Sequence, residues 1–394
     1  MTLKVNNRIG LVLPNIPAYS ETFFNSKIQG LQENGFEVII FSNSKTRNKH
    51  KSCKTFFSPD FTFRISLFLE IIFIIFNCLS NFKSAFNLFK LNRKDGFSYK
   101  DSFKNVFINS HYLPHKLTWL HFGFGTMALQ SENVAEAINA KMAVSFRGFD
   151  FYIYPAKFPN CYNLLFSKKV KYHVLSEEMK NTLIEKGISS SVIKKITPAI
   201  NIDFFYPETK VKKTNTFQFI TVGRLHWIKG LEHTLEAFSI LKRENIPFHY
   251  TIIGEGVEEE KLRFALHQLE IIENVTFAGR ISHEKVREYL DGSDFYVQYS
   301  IQEGFCNAVL EAQCMGLLCI VSDADGLIEN ILNEKTGWVV PKRNPILLAK
   351  KMKDIIELSE ESKNEIRLNA IERVKKEFNL TEQKVAFDNF YKDK

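Results

Sequence analysis

The chain has 394 residues, 45% of them hydrophobic and 24% charged. That balance excludes a disordered or fibrous chain and leaves room for two hydrophobic cores. The net charge of +8 is uneven: residues 1–200 hold 26 Lys+Arg against 13 Asp+Glu, and residues 201–394 hold 26 against 31. A basic first half predicts an acidic partner there, an anionic membrane surface or nucleic acid, or else a solvated basic face. No recognition helix or base-stacking motif accompanies the charge, so nucleic acid is not expected as a partner. The six cysteines form no C-x-x-C pair and no His cluster joins them, so no metal site is expected. Scattered, apolar-flanked cysteines fit a reducing cytoplasm. The opening runs straight into strand-like IGLVLP, without the layout of a secretion signal.

In chain order, RIGLVLP reads as a buried strand and NIPAYSE as a loop. TFFNSKIQGLQENG reads as a helix, with Phe24, Ile28 and Leu31 on one stripe and Gly35 as its stop. FEVIIFS is the next strand, giving the βαβ opening of a parallel sheet. ISLFLEIIFIIFNCLSNF, residues 65–82, is apolar but interrupted by Glu70, and its longest clean run, Ile71–Phe76, is too short to span a bilayer. Lys51, Lys54 and Arg64 precede it and Lys83, Lys90, Arg93 and Lys94 follow. Two readings stand together: a helix buried in the first domain, or one lying at a membrane interface. LTWLHFG, MAVSFRG and YHVLS are further strands running into loops. Residues 201–215, polar and basic, read as a linker. The second half then alternates strand candidates (217–222, 250–253, 275–278, 295–299, 318–322, 338–340) with helical patterns, the signature of a second parallel sheet covered on both faces. The last stretch, FNLTEQKVAFDNFYK, reads as an amphipathic helix.

In doubly wound sheets ligands bind beyond the C-terminal ends of strands. TVGRLHWIKG places Gly223, Arg224 and Lys229 between a strand and a helix N-terminus, an arrangement suited to a diphosphate. IIGEGVEEE puts Gly254, Glu255 and Gly256 after the next strand, permitting close backbone approach, although the dinucleotide fingerprint G-x-G-x-x-G is absent. EGFCNAVLEAQCMG sets Glu303 before a short helix and Glu311 about two turns on. A carboxylate among Ala308, Val309, Leu310, Ala312 and Met315 is costly to bury. It is either a hydroxyl acceptor for a polyol ligand or a salt-bridged core group.

These motifs in this order resemble the retaining glycosyltransferases of family four. So do Glu303 and Glu311 in E-x7-E spacing, and SDADGLIENI and NEKTGWVVP after them. The resemblance implies α/β GT-B architecture, two Rossmann-like doubly wound domains facing across a cleft. It implies an acceptor domain over residues 1–200, a nucleotide-sugar domain over 201–375, and a helix over 376–394 returning to the first domain. By the same resemblance Arg224 and Lys229 hold the donor diphosphate, Glu303 the sugar and Glu311 the ribose. Phe305, Cys306 and Asn307, after Gly304, offer backbone amides, and Arg280-Ile281 face the base. PAYSETFF, with Ser20, Glu21 and Thr22, resembles the opening loop of the exopolysaccharide and colanic-acid-type subgroup. LHFGFG resembles the stretch that holds a cleft histidine, here His121, although a lone histidine among apolar residues also fits a core position. SFRGFD resembles a His-Gly-x-Asp element with Arg147 in place of the histidine and Asp150 as the acid, so Arg147 suits phosphate or an acidic acceptor.

The implied function is retaining transfer of a sugar from a nucleotide-diphosphate sugar to a glycan or lipid-linked acceptor in surface polysaccharide biosynthesis. It would run in the cytoplasm or on the inner face of the cell membrane, with an anionic membrane surface as partner. No cofactor or metal is expected, and Asp323-Ala324-Asp325 is read as a loop rather than a metal motif. The alternatives are a GT-B-type nucleotide-sugar epimerase and a non-catalytic sugar-nucleotide-binding scaffold.

Overall fold

The computed structural model describes residues 7–17, 22–43, 50–59, 64–207 and 215–392. Of residues 22 and 64–69 it describes the backbone. The chain divides into two compact units, one of residues 1–196 with 384–394 and one of residues 197–383.

The first unit is built on a seven-stranded parallel sheet of β1 (Arg8–Leu13), β2 (Glu37–Ser42), β3 (Lys54–Phe57), β4 (Trp119–Phe122), β5 (Lys141–Ser145), β6 (Val170–Val174) and β7 (Ile193–Lys195), in the order β3-β2-β1-β4-β5-β6-β7. Its central strands are apolar runs without alternation because helices cover both faces. After its first residue β1 is wholly buried, as is β2. α1 (Thr22–Glu33) crosses between them and puts Ile28 and Leu31 into the core beside Leu11, Val38 and Ile40. The apolar segment after β3 divides into α2 (Arg64–Ser80) and α3 (Phe82–Lys94), broken at Asn81, where one helix over residues 65–82 is expected from the sequence. α4 (Tyr99–Ile108) follows, started by Ser98, whose hydroxyl accepts the Asp101 amide at 3.0 Å.

The second unit holds a six-stranded parallel sheet: β8 (Phe217–Val222), β9 (Phe248–Ile253), β10 (Val275–Gly279), β11 (Phe295–Gln298), β12 (Leu318–Ser322) and β13 (Trp338–Val340), ordered β10-β9-β8-β11-β12-β13. Leu235, Phe238 and Leu241 form one apolar stripe of the helix Leu231–Arg243 and pack on Phe219 and Tyr250. Both sheets are doubly wound, and each reverses its strand order once, beside β1 and β4 and beside β8 and β11. At such a reversal the flanking loops diverge and leave a crevice at the C-terminal edge.

Two boundaries differ from the sequence reading. The units part after Ile196, and residues 201–207, expected as linker, pack into the second unit. Phe205 is buried there, and its carbonyl accepts the Cys314 thiol. The terminal helix, Leu380–Lys392, joins the first unit from Lys384 onward and brings Phe387, Phe390 and Tyr391 into that core.

Candidate functional site

The crevice between β8 and β11 gathers three loops of the second unit. Gly223 donates to the Ile253 carbonyl at 2.9 Å, Leu225 to Glu255 at 3.0 Å, and Gly254 to Gly279 at 2.9 Å, which knits the ends of β8, β9 and β10 together. Gly254 has φ 142°, and a Cβ there would lie 1.9 Å from the Gly223 carbonyl oxygen. A Cβ on Gly256 would lie 2.2 Å from that of Leu225. The space these two glycines leave is therefore filled by the neighbouring Gly223–Leu225 backbone. Gly230, at φ 62°, lets the same loop press on the end of β11. The Ile228 carbonyl there accepts Ile301 N–H at 2.7 Å. This clasp carries Lys229 to the loop after β11, where its ammonium pairs with the Glu303 carboxylate.

The side chains of Lys229 and Glu303 are 12% and 14% exposed. Burial alone would lower the lysine pKa, but the charge of Glu303, then Cys306 and the hydrogen bond to Glu303, outweigh it and raise the value. Ser300 Oγ stands 3.3 Å from the same carboxylate. Glu311, on the helix Asn307–Cys314, lies 3.5 Å from His283 Nε2, and its side chain is 12% exposed. The hydrogen bond to Glu311 raises the His283 pKa against the pull of burial. The ring of His283 stacks on Phe204, with centroids 5.1 Å apart. The Cys306 thiol, pushed up to about 12 by burial and then by Glu303, also feels Lys229 and Glu311. One small region therefore holds the cation and both carboxylates.

Arg224 is exposed at the mouth of the same loop. Arg280, expected to face a base, is exposed and paired with Glu255 at 3.2 Å, beside Ile281. Gly304 and Phe305 are buried and lead into the helix at Asn307. Asn330 clamps that turn: its Oδ1 accepts the Cys306 amide at 3.2 Å and its Nδ2 donates to the Cys306 carbonyl at 2.9 Å. Neither His283 nor Asn330 is singled out by sequence reasoning, since a lone histidine and an asparagine in GLIENI carry no spacing signal. The Asp323 carboxylate accepts the Lys342 amide at 2.8 Å, a loop-tying role. Among the described residues no group of three or more His, Cys, Asp or Glu side chains is placed to hold a metal ion.

In the first unit, the expected cleft histidine lies elsewhere. His121 is fully buried in β4, with both ring nitrogens engaged: Nε2 lies 2.7 Å from Ser145 Oγ and Nδ1 2.5 Å from the Tyr391 hydroxyl. Ser145 Oγ lies 2.7 Å from His173 Nδ1, and His173 Nε2 lies 3.0 Å from the Ile196 carbonyl. The carbonyl accepts only, so the protons run one way along the chain. His173 donates through Nε2, Ser145 donates to His173, and His121 donates to Ser145 and accepts at Nδ1. Burial first, then nearby Lys27, holds the His121 pKa well below its ordinary value, so the ring is neutral. This is a core histidine tying the terminal helix to the sheet.

Arg147, at the end of β5, donates from Nε to the Gly123 carbonyl at 3.1 Å. Its guanidinium lies over Phe23 (4.0 Å) and Phe24 (4.5 Å). Nη2 is buried without a hydrogen-bond partner among the described residues. Burial pulls the Arg147 pKa down to about 10, with Asp150 acting the other way. Asp150 accepts the amides of Gly125, Arg147 and Gly148, which fixes the loop carrying the arginine. Ser20 and Glu21 lie outside the described residues, as does the side chain of Thr22.

Two doubly wound units, one with a cation and two carboxylates in its switch-point crevice, define a protein of GT-B architecture. Residues 204–373 match the family glycosyl transferases group 1. WcaL of Escherichia coli K12, named for colanic acid biosynthesis as a glycosyltransferase, is 24% identical over 94% of this chain and 96% of its own. Among solved structures, a glycosyltransferase from Rickettsia africae ESF-5 superposes with a TM-score of 0.72 at 19% identity, covering 99% of this chain and 98% of its own. Anabaena Alr3699/HepE in complex with UDP-glucose superposes at 0.71 with 12% identity, covering 98% and 100%. The second unit carries a glycosyl transferases group 1 domain, and the chain is a glycosyltransferase.

Proposed function

We propose that the protein is a retaining, metal-independent glycosyltransferase. It would move a sugar from a nucleotide-diphosphate sugar to a glycan or lipid-linked acceptor of a surface polysaccharide, on the cytoplasmic side of a membrane. The observation that carries this reading is the convergence of Arg224, Lys229, Glu303 and Glu311 on the C-terminal edge of one sheet, with Lys229 already paired to Glu303. The likeness to WcaL supports a polysaccharide acceptor, and the UDP-glucose held by the Anabaena protein supports a nucleotide-sugar donor.

In the proposed reaction the bond from the anomeric carbon to the diphosphate breaks. The acceptor oxygen bonds that carbon on the same face, and its proton passes to the departing phosphate oxygen. Charge builds on the leaving group, and Lys229 and Arg224 would offset it. The Lys229–Glu303 pair must open for this, and the donor supplies the exchange: its phosphate takes the ammonium and its sugar hydroxyls take the carboxylate. Glu303 then orients the sugar, and Glu311 receives the ribose hydroxyls in place of His283.

The test is thermal shift with UDP, GDP, ADP and CMP on the wild type and Glu311→Ala, followed by transfer assays with and without EDTA. One nucleoside diphosphate stabilises the wild type and does so less in the variant, transfer survives EDTA, and NMR of the product shows the donor's anomeric configuration. Inversion, loss of transfer in EDTA with rescue by Mg²⁺ or Mn²⁺, or sugar interconversion without acceptor would each contradict a named part of the reading.

A further inference from the structure

α2 reads RISLFLEIIFIIFNCLS, apolar on every side. Yet among its described side chains only Ile74 and Asn77 are buried. Phe73, Phe76 and Leu79 stand 50%, 63% and 69% exposed. The chain then turns by 94° between Glu70–Ser80 and Phe82–Lys94. α3 continues the apolar face with Phe82 and Phe86, 65% and 54% exposed and stacked on each other. α4 extends it with Phe103 and Phe107. A continuous apolar face of this kind marks an interaction surface. Lys83, Lys90 and Lys94 on α3 and Lys100 and Lys104 on α4 are exposed, and Asp101 is the one exposed carboxylate on these helices among the described residues. Apolar side chains rimmed by lysines complement an anionic lipid surface.

Among the described residues no single helix is long and apolar enough to cross a membrane. At about 1.5 Å per residue, α2 reaches roughly 25 Å, less than a hydrocarbon core, so these helices fit lying on a bilayer rather than spanning it. The same helix α4 walls a cavity of about 870 Å³. Lys100, Phe103, Lys104 and Phe107 line it from α4, Asn43 and Ser58 from beyond the ends of β2 and β3, and Met127 from the one-turn helix Gly125–Ala128 after β4. The cavity thus lies at the C-terminal edge of the first sheet, where a doubly wound unit binds its ligands. Its α4 wall is part of the exposed apolar face.

We propose that α2–α4 rest on an anionic bilayer and that this cavity is the port through which a bilayer-anchored acceptor enters. That acceptor carries an apolar chain, for Phe103, Phe107 and Met127, and a phosphate-bearing head, for Lys100 and Lys104. The inference rests on the glycosyl-transfer reading for the ligand's role as acceptor, while the docking and the cavity stand on their own geometry.

The test uses the full chain. Flotation with phosphatidylcholine vesicles, with and without phosphatidylglycerol, should show about tenfold or more binding to the anionic vesicles, lost at high salt. Phe76→Ser/Leu79→Ser should abolish it while leaving the melting temperature and nucleotide shift unchanged. For the port, calorimetry with monomeric dodecyl phosphate should show tighter binding than with inorganic phosphate, and Met127→Trp, which fills the cavity, should weaken it about tenfold without affecting flotation. Equal binding to both vesicles, or self-association abolished by Phe76→Ser/Leu79→Ser without vesicle binding, overturns the docking face. Dodecyl phosphate binding no tighter than that of inorganic phosphate, or untouched by Met127→Trp, overturns the port. Nucleotide shifts on the same samples separate the two readings: lipid and amphiphile binding without any nucleotide shift would sink the transferase reading and leave the port.

Discussion

Replacing Lys229 by methionine keeps most of the side chain's length and removes its charge. The Glu303 carboxylate, 14% exposed, then keeps Ser300 Oγ at 3.3 Å as its side-chain hydrogen-bond partner among the described residues. Removing one partner of a fully buried pair costs roughly 3–5 kcal/mol, and an exposed pair is worth roughly 0–1 kcal/mol. Side chains mostly but not wholly withdrawn from water place Lys229→Met at about 2 kcal/mol. For a unit of this size that lowers the melting temperature by about 4–8 °C. The lysine's raised pKa fixes the sign. A group whose folded pKa lies above its unfolded value contributes fully below the unfolded value, about 10.4, and loses the contribution only as pH rises through the folded value. The effect is therefore present in full at pH 7. Differential scanning calorimetry of Lys229→Met, Glu303→Gln and the double variant tests this. The double variant should recover more than half of the summed loss, because a neutral amide facing a methionine leaves no buried charge. A melting temperature within about 1 °C of wild type for Lys229→Met, or strictly additive losses, would refute the argument that the pair is electrostatically coupled.

Two further outcomes follow from the same physics. His283 has a raised pKa through Glu311, so their attraction is present below the ordinary histidine value of about 6.5 and fades as pH rises through the higher folded value. The stability gap between wild type and His283→Ala, read by melting across a pH series, should be widest near pH 6 and shrink toward pH 9; a gap independent of pH would remove the charge from the interaction. His121→Ala should destabilise the first unit by about 2–4 kcal/mol, because it opens a cavity and strips partners from Ser145 and Tyr391. It should leave the nucleotide-dependent shift intact, and loss of that shift in a folded variant would return His121 to the chemistry.

The fold was legible because its strands are buried on both faces. Runs such as RIGLVLP, FEVIIFS and FQFITV have no other stable setting in a chain of ordinary polarity. The edge strands β3 and β7 were not, since Lys54–Phe57 has no fully buried residue and Ile193–Lys195 has one, so neither shows a buried apolar run. Motif order located Lys229 and Glu303. Their pairing was invisible, because it depends on Gly230 allowing the β8 loop onto the end of β11. Glu311 offered two readings from sequence, and His283 comes from the first turn of another helix, His283–Asp291, distant along the chain. His121 misled because a histidine at a strand end looks the same whether it faces a crevice or a terminal helix. Only the returning helix, with Tyr391 against Nδ1, tells them apart.

That helix also bears on how the protein is made. Phe387, Phe390 and Tyr391 complete the core around β1 and β4, the Trp119 indole donates to the Tyr391 carbonyl at 3.1 Å, and Lys171 donates to Phe390 at 2.6 Å. A ribosome releases these residues after the whole of the second unit, so the unit that begins the chain is the last to be finished. Until then Trp119 and His121 lack their lid, and the apolar side chains that Phe387, Phe390 and Tyr391 cover stay open to water on the nascent chain.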